Sequence, residues 1–426
     1  MLLQIIFITG LVLSVPGNAS SNEDAVQSEI DSLRDEIQVF REDVENQNLN
    51  SMRSEMLRDA VLDVIAEAES RINLRGNTNV PWNEIRTTDN AFSLKTSFYM
   101  QYDWILSQAG NPQTTDYGFM LQRARITFTG NIIDPSWKYY LRLQIGSQGI
   151  ANPEAAFIQK DLNEQWSIQA GLVYGMFSLS EAISNDEELG VNLSYVTGQF
   201  DEETNNGLVL SFADEKTRFW TTLSNGFGQT NVQPINNARM GIMFRGEYKP
   251  FGNWDDLYNF NPHPNSIEDG MLFGMGASYD WGTSEGNNPP ATKVAGTATR
   301  LTTDFSWQTP GFSVMAAGYY QDWEQGGLAG GTRWAGEAQA TGFLNSQLQL
   351  YGRYEWGTIT DSDERDLSIV TVGTSIYPFE DITIKFSAEF IRSFGSTQNW
   401  ATDGDVGFIQ SSEPQNIIRT QLQLSF

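Results

Sequence analysis

The 426-residue sequence predicts a membrane protein of the all-β class, a sixteen-stranded antiparallel transmembrane β-barrel preceded by an N-terminal α-helical coiled coil. Three observations support this prediction: segments of about ten residues that alternate apolar and polar side chains, connections that alternate in length, and a last segment ending in Phe426. Successive side chains of a strand point to opposite faces, so each segment has one apolar and one polar face. The wall of a barrel with a wet interior has this composition.

The composition excludes several classes of protein. Cysteine is absent, which rules out disulfides and Cys-ligated metal sites. The net charge of −27 argues against nucleic acid as a partner, because nucleic acid binds basic surfaces. The single histidine, His263, lies between two prolines in a connection, and no His-based metal spacing or nucleophile motif accompanies it. We therefore expect neither an enzyme nor a cofactor.

The N-terminus has the pattern of an export signal. Residues 2–15 are almost entirely apolar and precede a helix break that ends in the small residue Ala19. We expect residues 1–19 to be a signal peptide cleaved after Ala19, although the usual basic residue before the apolar run is missing. The alternative is an uncleaved anchor helix, for which the apolar run is short.

Residues 20–75 predict a periplasmic coiled-coil segment. Gly and Pro are absent between residues 21 and 75, and apolar positions recur in steps of three and four residues: Ile30, Leu33, Ile37, Phe40 and Val44. The favoured interpretation is a trimeric stalk, and the alternative is a monomeric helical hairpin folded on itself. Residues 76–90 resemble a linker, and the barrel domain occupies residues 91–426.

Sixteen alternating segments make up the predicted barrel. They cover residues 92–105, 118–130, 137–146, 153–160, 166–173, 207–213, 217–225, 239–249, 270–281, 298–308, 312–322, 332–342, 346–357, 367–378, 381–393 and 416–426. An even number is what bacterial single-chain outer-membrane barrels require. A last strand ending in Phe is similar to the signal that hands such barrels to their insertion machinery. A soluble sandwich that happens to end in Phe is the alternative.

The connections between these segments alternate in length. Short turns near residues 133–136, 213–216, 308–311 and 378–381 lie between long connections at 174–206, 226–238, 282–297 and 394–415. Short turns at one end and long loops at the other are typical of outer-membrane barrels. The connection 250–269 departs from this pattern, because it should be short. It either carries an elaboration or contains a hairpin that the pattern misses.

The basic residues of the predicted strands lie opposite the apolar positions, and Arg392, near a strand end, is the main exception. The inward set comprises Lys95, Arg123, Arg125, Lys138, Arg142, Arg218, Arg239, Arg245, Arg300, Arg333, Arg353, Lys385 and Arg419. A cation facing lipid at the bilayer midplane costs about 2–4 kcal/mol, so inward placement suits a membrane barrel.

Five of these cations lie on three consecutive segments with Asp103 as the only local acid. They are our pore-lining candidates for a lumen that favours anions: Lys95, Arg123, Arg125, Lys138 and Arg142. The structural alternative is that inward cations pair with acids of the wall. Candidate pairs are Arg245 with Glu247, Arg333 with Glu337, and Arg353 with Glu355.

The long connection 174–206 contains acids and neither Lys nor Arg. Its constriction-loop candidates are Glu181, Asp186, Glu187 and Glu188. If the loop folds into the lumen, these acids oppose the basic wall and weaken a preference for anions. If the loop stays outside, the acids form a solvated rim.

Two patches of the barrel domain resemble the phosphate-selective porin O and P family. They are Phe119 to Ile126 with Gly130 and Trp137-Lys138-Tyr139, and Gln169 to Ser178 before the long loop. The resemblance implies a sixteen-stranded trimeric outer-membrane porin that conducts small anions, and a periplasmic coiled coil fits relatives of the family. In that family phosphate selectivity rests on a ladder of Arg and Lys and on cations of the inward loop. Arg123 and Arg125 match the ladder, whereas the loop here carries acids.

From these observations we expect a water-filled outer-membrane channel for passive diffusion of small hydrophilic solutes, with a preference for anions and phosphate as one candidate. We expect a homotrimer that contacts outer-membrane lipid and has its N-terminal segment in the periplasm. The alternative is a structural anchor in which the coiled-coil stalk tethers the outer membrane to the rest of the envelope.

Overall fold

The chain divides into two compact units, Met1–Asn77 and Thr78–Phe426. The computed structural model describes residues 32, 38, 83–109, 114–145, 151–200, 204–226, 240–265, 267–285, 293–325, 328–360, 366–379, 384–398, 400, 406–409 and 411–426. In the first unit these are Ser32 and Gln38, both helical and exposed. The predicted signal peptide and coiled coil lie outside the described residues and stay predictions. No helix in the described part of the chain is long and apolar enough to span a membrane.

The second unit is a closed antiparallel barrel. Its strands are β1 (Glu84–Arg86), β2 (Ser93–Ala109), β3 (Thr114–Asn131), β4 (Trp137–Ile145), β5 (Ala151–Asp161), β6 (Trp166–Tyr174), β7 (Thr204–Ala213), β8 (Thr217–Ser224), β9 (Met240–Phe251), β10 (Gly270–Glu285), β11 (Lys293–Thr309), β12 (Phe312–Gln325), β13 (Leu328–Phe343), β14 (Leu348–Ile359), β15 (Leu367–Ile376), β16 (Ile384–Ser393) and β17 (Asn416–Ser425). Strands β2 to β17 pair in sequence order, and β17 closes the ring on β2 from Asn416 opposite Gln108 to Ser425 opposite Tyr99. The prediction of sixteen barrel strands is confirmed, with ends that differ by a few residues.

The short strand β1 lies within the predicted linker. It pairs with β2 from Glu84 opposite Lys95, below the point where β17 ends. The Phe98 amide donates to the Phe426 carbonyl at 2.8 Å, and the Thr96 amide donates to the Asn83 carbonyl at 2.9 Å. The segment that precedes the barrel therefore pairs with β2 directly next to the C-terminal residue of the chain.

Side chains alternate along each strand between the lumen and the outer surface. Large apolar side chains on the outer surface are exposed, for example Met275 at 63% and Trp334 at 49%. Many inward charged side chains are buried, for example Arg245 at 0%. The predicted inward cations point into the barrel, except that Arg239 lies outside the described ranges. Arg392 faces outward as predicted, and its guanidinium donates to Asn416 Oδ1 at 2.7 Å.

The connection between β9 and β10 carries an elaboration, and the described residues 252–265 and 267–269 contain no strand. A short helix, α3 (Trp254–Leu257), is followed by a stretch that turns into the barrel. Phe260 and Asn261 are buried there, and His263 Nε2 lies 2.8 Å from the Ser346 carbonyl oxygen. His263 therefore serves the packing of this connection. We call residues 252–265 the tucked turn.

Candidate solute path and constriction loop

The long connection after β6 folds into the lumen. Its described part, residues 175–200, contains the short helices α1 (Leu179–Ala182) and α2 (Tyr195–Gly198), and we call it the constriction loop. Ser178 Oγ accepts from the Glu181 amide at 3.2 Å, and the Glu181 carboxylate accepts from the Phe177 amide at 3.1 Å. This reciprocal capping begins α1, so Glu181 has a structural role. Phe177 and Val191 are fully buried, which places the loop inside the barrel.

Cations of the opposite wall bind the carbonyl groups of the constriction loop. Arg245 Nη1 donates to the Phe177 carbonyl at 3.1 Å, and Arg353 Nη2 donates to the Leu189 carbonyl at 3.0 Å. Lys385 Nζ lies 3.3 Å from the Glu188 carbonyl oxygen. Hydrogen bonds with an ionised partner are about twice as strong as neutral ones, so these contacts fix the loop against strands β9, β14 and β16.

Carboxylates of the same wall accept hydrogen bonds from the amides of the loop. The Leu179 amide donates to Asp304 at 3.2 Å. The Val191 amide donates to Glu389 at 3.3 Å, and the Val196 amide donates to Glu355 at 3.1 Å. The loop backbone is thus bound through both its donors and its acceptors.

The predicted charge pairs of the wall form only in part. Arg245 pairs with Glu247 at 2.7 Å and with Asp304 at 2.8 Å. The pair of Arg333 with Glu337 and the pair of Arg353 with Glu355 do not form, because the loop takes these groups. Glu337 accepts from Ser180 and Thr197 of the loop, both at 2.7 Å. Arg333 donates to the Gln199 carbonyl at 2.7 Å and to Gln321.

Two of the five pore-lining candidates also bind the loop. Arg123 Nη1 donates to Gln101 at 3.0 Å, and its Nη2 donates to Asn192 Oδ1 at 2.9 Å. Arg125 is buried, donates to Gln144 at 2.9 Å, and contacts Asn185 of the loop and Glu154 of β5. These two guanidiniums join β3 to the constriction loop.

The other three candidates face open space. Arg142 Nε donates to Thr127 Oγ1 at 3.0 Å, and its guanidinium lies 5.4 Å from the ring centre of Tyr140. Among the described residues no carboxylate pairs with Arg142. Lys138 is paired with Asp161 at 2.6 Å but keeps 51% of its side chain exposed. Lys95 is exposed at the short-turn end of the barrel.

The acids of the constriction loop differ in environment. Asp186 lines a cavity of about 280 Å³ together with Arg125, Thr127 and Arg142. Glu188 is buried at 3% exposure, and burial raises the pKa of its carboxyl. Burial, together with the neighbouring carboxylates of Asp186 and Asp255, also raises the pKa of Glu187 to about 7. Asp186 is therefore the loop acid that lines the cavity beside Arg142.

The tucked turn meets the constriction loop inside the barrel. The Phe260 amide donates to the Glu187 carbonyl at 3.0 Å, and Asn261 Nδ2 donates to the Glu188 carbonyl at 3.3 Å. From the long-loop end, Phe408 contacts Tyr195 with ring centres 5.0 Å apart. The constriction loop and the tucked turn thus pack against the wall formed by β9–β17.

Two cavities inside the described part of the barrel lie along β2–β5, and we call this space the solute path. It comprises the cavity beside Asp186 and a second cavity of about 620 Å³ at the short-turn end, lined among others by Thr129, Lys138, Tyr140 and Gln159. Within the described ranges no group of three His, Asp or Glu side chains is arranged to hold a metal ion.

The comparisons with known proteins agree with this architecture. The sequence profile of the family described as phosphate-selective porin O and P matches residues 94–426. An anion-selective porin from Comamonas acidovorans superposes with a TM-score of 0.57 at 11% identity, covering 79% of this chain and 100% of that one. OmpT of Vibrio cholerae gives 0.54 at 12% identity, with 80% and 100% covered. The channel DcaP of Acinetobacter baumannii gives 0.53 at 10% identity, with 80% and 99% covered. No curated protein matches the sequence.

Sequence reasoning missed the residues of the opposite wall that hold the loop. Alternation places Arg353, Lys385 and Glu389 inside the barrel, but it does not show what they bind there. The sequence did contain one signal for these residues, which is an excess of inward charged positions in one half of the barrel wall. Its meaning depends on the position of a loop that lies more than 100 residues away in the sequence.

Proposed function

The chain belongs to the phosphate-selective porin O and P family, and from this membership we propose that it forms a water-filled channel in the outer membrane that prefers small anions. The observation that supports the preference is Arg142, an inward cation on the solute path without a carboxylate partner among the described residues. In this proposal small hydrated solutes pass along the solute path beside the constriction loop.

The charges along the solute path favour anions by a small margin. Five cations line or adjoin it, Arg86, Lys95, Lys138, Arg125 and Arg142, and they face four acids, Glu84, Glu154, Asp161 and Asp186. Arg86 is paired with Glu84. Glu154 and Asp161 are paired with Arg125 and Lys138. The opposite charges of Arg142 and Asp186 then face each other across the constriction. They produce an electric field across the path, and we expect a moderate selectivity from it.

Phosphate is the narrower candidate for the solute. The family description and the anion-selective porin among the similar structures support an anion. The acids of the constriction loop oppose a strong preference for a multiply charged anion. We propose a homotrimer as the assembly, supported by the trimer form in which OmpT of Vibrio cholerae has been solved.

Conductance in planar lipid bilayers tests the proposed channel. Purified protein should produce discrete current steps that scale with salt concentration. A barrel that inserts into the bilayer but gives no current steps would instead support the structural anchor, because protein would then block the whole lumen.

A further inference from the structure

An aromatic patch lies on the lumen side of strands β4, β5 and β6. Tyr140 pairs with Phe157 across β4 and β5, and their rings are parallel within 5° at a centre distance of 5.1 Å. The ring of Tyr174 on β6 meets that of Tyr140 edge-on at 5.9 Å, and the two hydroxyls are 3.3 Å apart. The three side chains form one surface, which we call the aromatic patch.

The aromatic patch borders open space. Tyr140 and Phe157 both line the cavity of about 620 Å³ at the short-turn end. The lumen of a membrane barrel is ordinarily polar, and large aromatic groups belong on its lipid-facing surface. Ring faces next to water therefore offer a contact for the apolar part of a passing solute.

Cations flank the patch along the same strand. Lys138, Tyr140 and Arg142 are successive inward residues of β4, which places neighbours about 7 Å apart. The Arg142 guanidinium also lies 5.8 Å from the ring centre of Tyr174. Its Nε binds Thr127, and among the described residues its two Nη atoms have no hydrogen-bond partner. The Nη pair can bind a carboxylate through two parallel hydrogen bonds.

From this juxtaposition we infer that the solute path recognises small aromatic carboxylates, a planar ring that carries one carboxylate group. The ring packs against Tyr140 and Phe157 while the carboxylate binds the Nη atoms of Arg142. Inorganic phosphate uses the cations alone and leaves the aromatic patch unused. This inference rests on the proposed channel and names the solute class for it. Such a site must bind weakly, because a conducting path has to release its solute.

The test measures how carboxylates reduce the chloride current through single channels. Benzoate is compared with cyclohexanecarboxylate, which has the same charge and nearly the same size but no aromatic ring, and with phosphate. We expect the concentration of benzoate that halves the current to be about two- to tenfold lower than that of cyclohexanecarboxylate. This factor corresponds to the free energy that one aromatic contact contributes.

Variants of the patch assign the effect to its rings. Phe157→Leu and Tyr140→Leu should remove most of the difference between the two carboxylates, whereas Tyr140→Phe, which keeps the ring, should preserve it. Phe212→Leu is the control, because Phe212 belongs to an aromatic cluster with Trp166 and Phe219 on the outer surface. It should leave the difference unchanged.

Two results would overturn the inference while the channel stands. One is equal reduction of the chloride current by benzoate and cyclohexanecarboxylate. The other is a stronger effect of phosphate, or of a neutral sugar such as maltose, than of benzoate. Absence of any conductance steps would overturn the proposed channel itself, so the two failures are distinguishable.

Discussion

Arg123 Nη2 on β3 donates to Asn192 Oδ1 of the constriction loop at 2.9 Å. The contact joins the basic wall to the loop that faces it, and it gives Arg123 a structural role in the lumen. Arg142, on the adjacent strand β4 of the same wall, donates to Thr127 and makes no hydrogen bond to the described part of the loop. Members of one basic cluster therefore divide between holding the loop and lining the path.

Arg353→Gln should loosen the constriction loop. The change removes the charged donor to the Leu189 and Asn192 carbonyls and leaves buried acceptors with weaker partners. We expect a loss of about 1.5–3 kcal/mol in the free energy of unfolding and larger fluctuations of the open-channel current. Urea unfolding in detergent and single-channel recording measure the two effects. Arg392→Gln on the outer surface is the control, and equal behaviour of the two variants would contradict the anchoring role.

Asp186→Asn should strengthen the preference for anions. Asp186 is the loop acid in the cavity shared with Arg125 and Arg142, and the substitution removes its charge while keeping the shape of the side chain. We expect the ratio of chloride to potassium permeability to rise roughly two- to fourfold. Glu181→Gln is a suitable comparison, because Glu181 caps α1. A fall in the ratio for Asp186→Asn would show that solutes do not pass beside this residue.

Selectivity should depend on pH between 6 and 8 through Glu187. Burial first, and then Asp186 and Asp255, raise the pKa of Glu187 to about 7 from its ordinary value of 4.5. Between these values the folded chain binds more protons than the unfolded chain, so this carboxyl contributes a stability that decreases as the pH rises through 7. At pH 6 the loop also carries less negative charge, and the chloride preference should be larger than at pH 8. Glu187→Gln should abolish the Glu187 part of this dependence, and an unchanged pH profile in that variant would refute the assignment.

Removal of residues 20–75 should change the oligomeric state if the stalk holds a trimer together. The barrel is a separate compact unit from residue 78 onward, so the shortened chain should still fold. We expect the mass of the detergent-solubilised particle to fall from three chains to one. A trimer that persists without these residues would favour the helical hairpin for this segment.

Alternation with period two was sufficient to predict sixteen strands and the inward orientation of Arg142 and Arg353, because lipid tolerates few charges on the outer surface. It could not predict what each inward cation binds. Arg353 pairs with loop carbonyls rather than with Glu355 because the constriction loop occupies the lumen, and that position results from contacts between residues far apart in the sequence. The length of the tucked turn alone marked it as unusual in the sequence. Its contact with Glu187 could not be predicted, because it forms only in the folded barrel.

The reversal potential in a KCl gradient tests the central claim most directly. The wild-type channel should give a potential of the sign that marks chloride preference. Arg142→Gln should reduce the ratio of chloride to potassium permeability roughly two- to fourfold, while Arg392→Gln should leave it unchanged. A potential of the opposite sign, or one that Arg142→Gln does not alter, would contradict an anion-preferring path along β3 and β4.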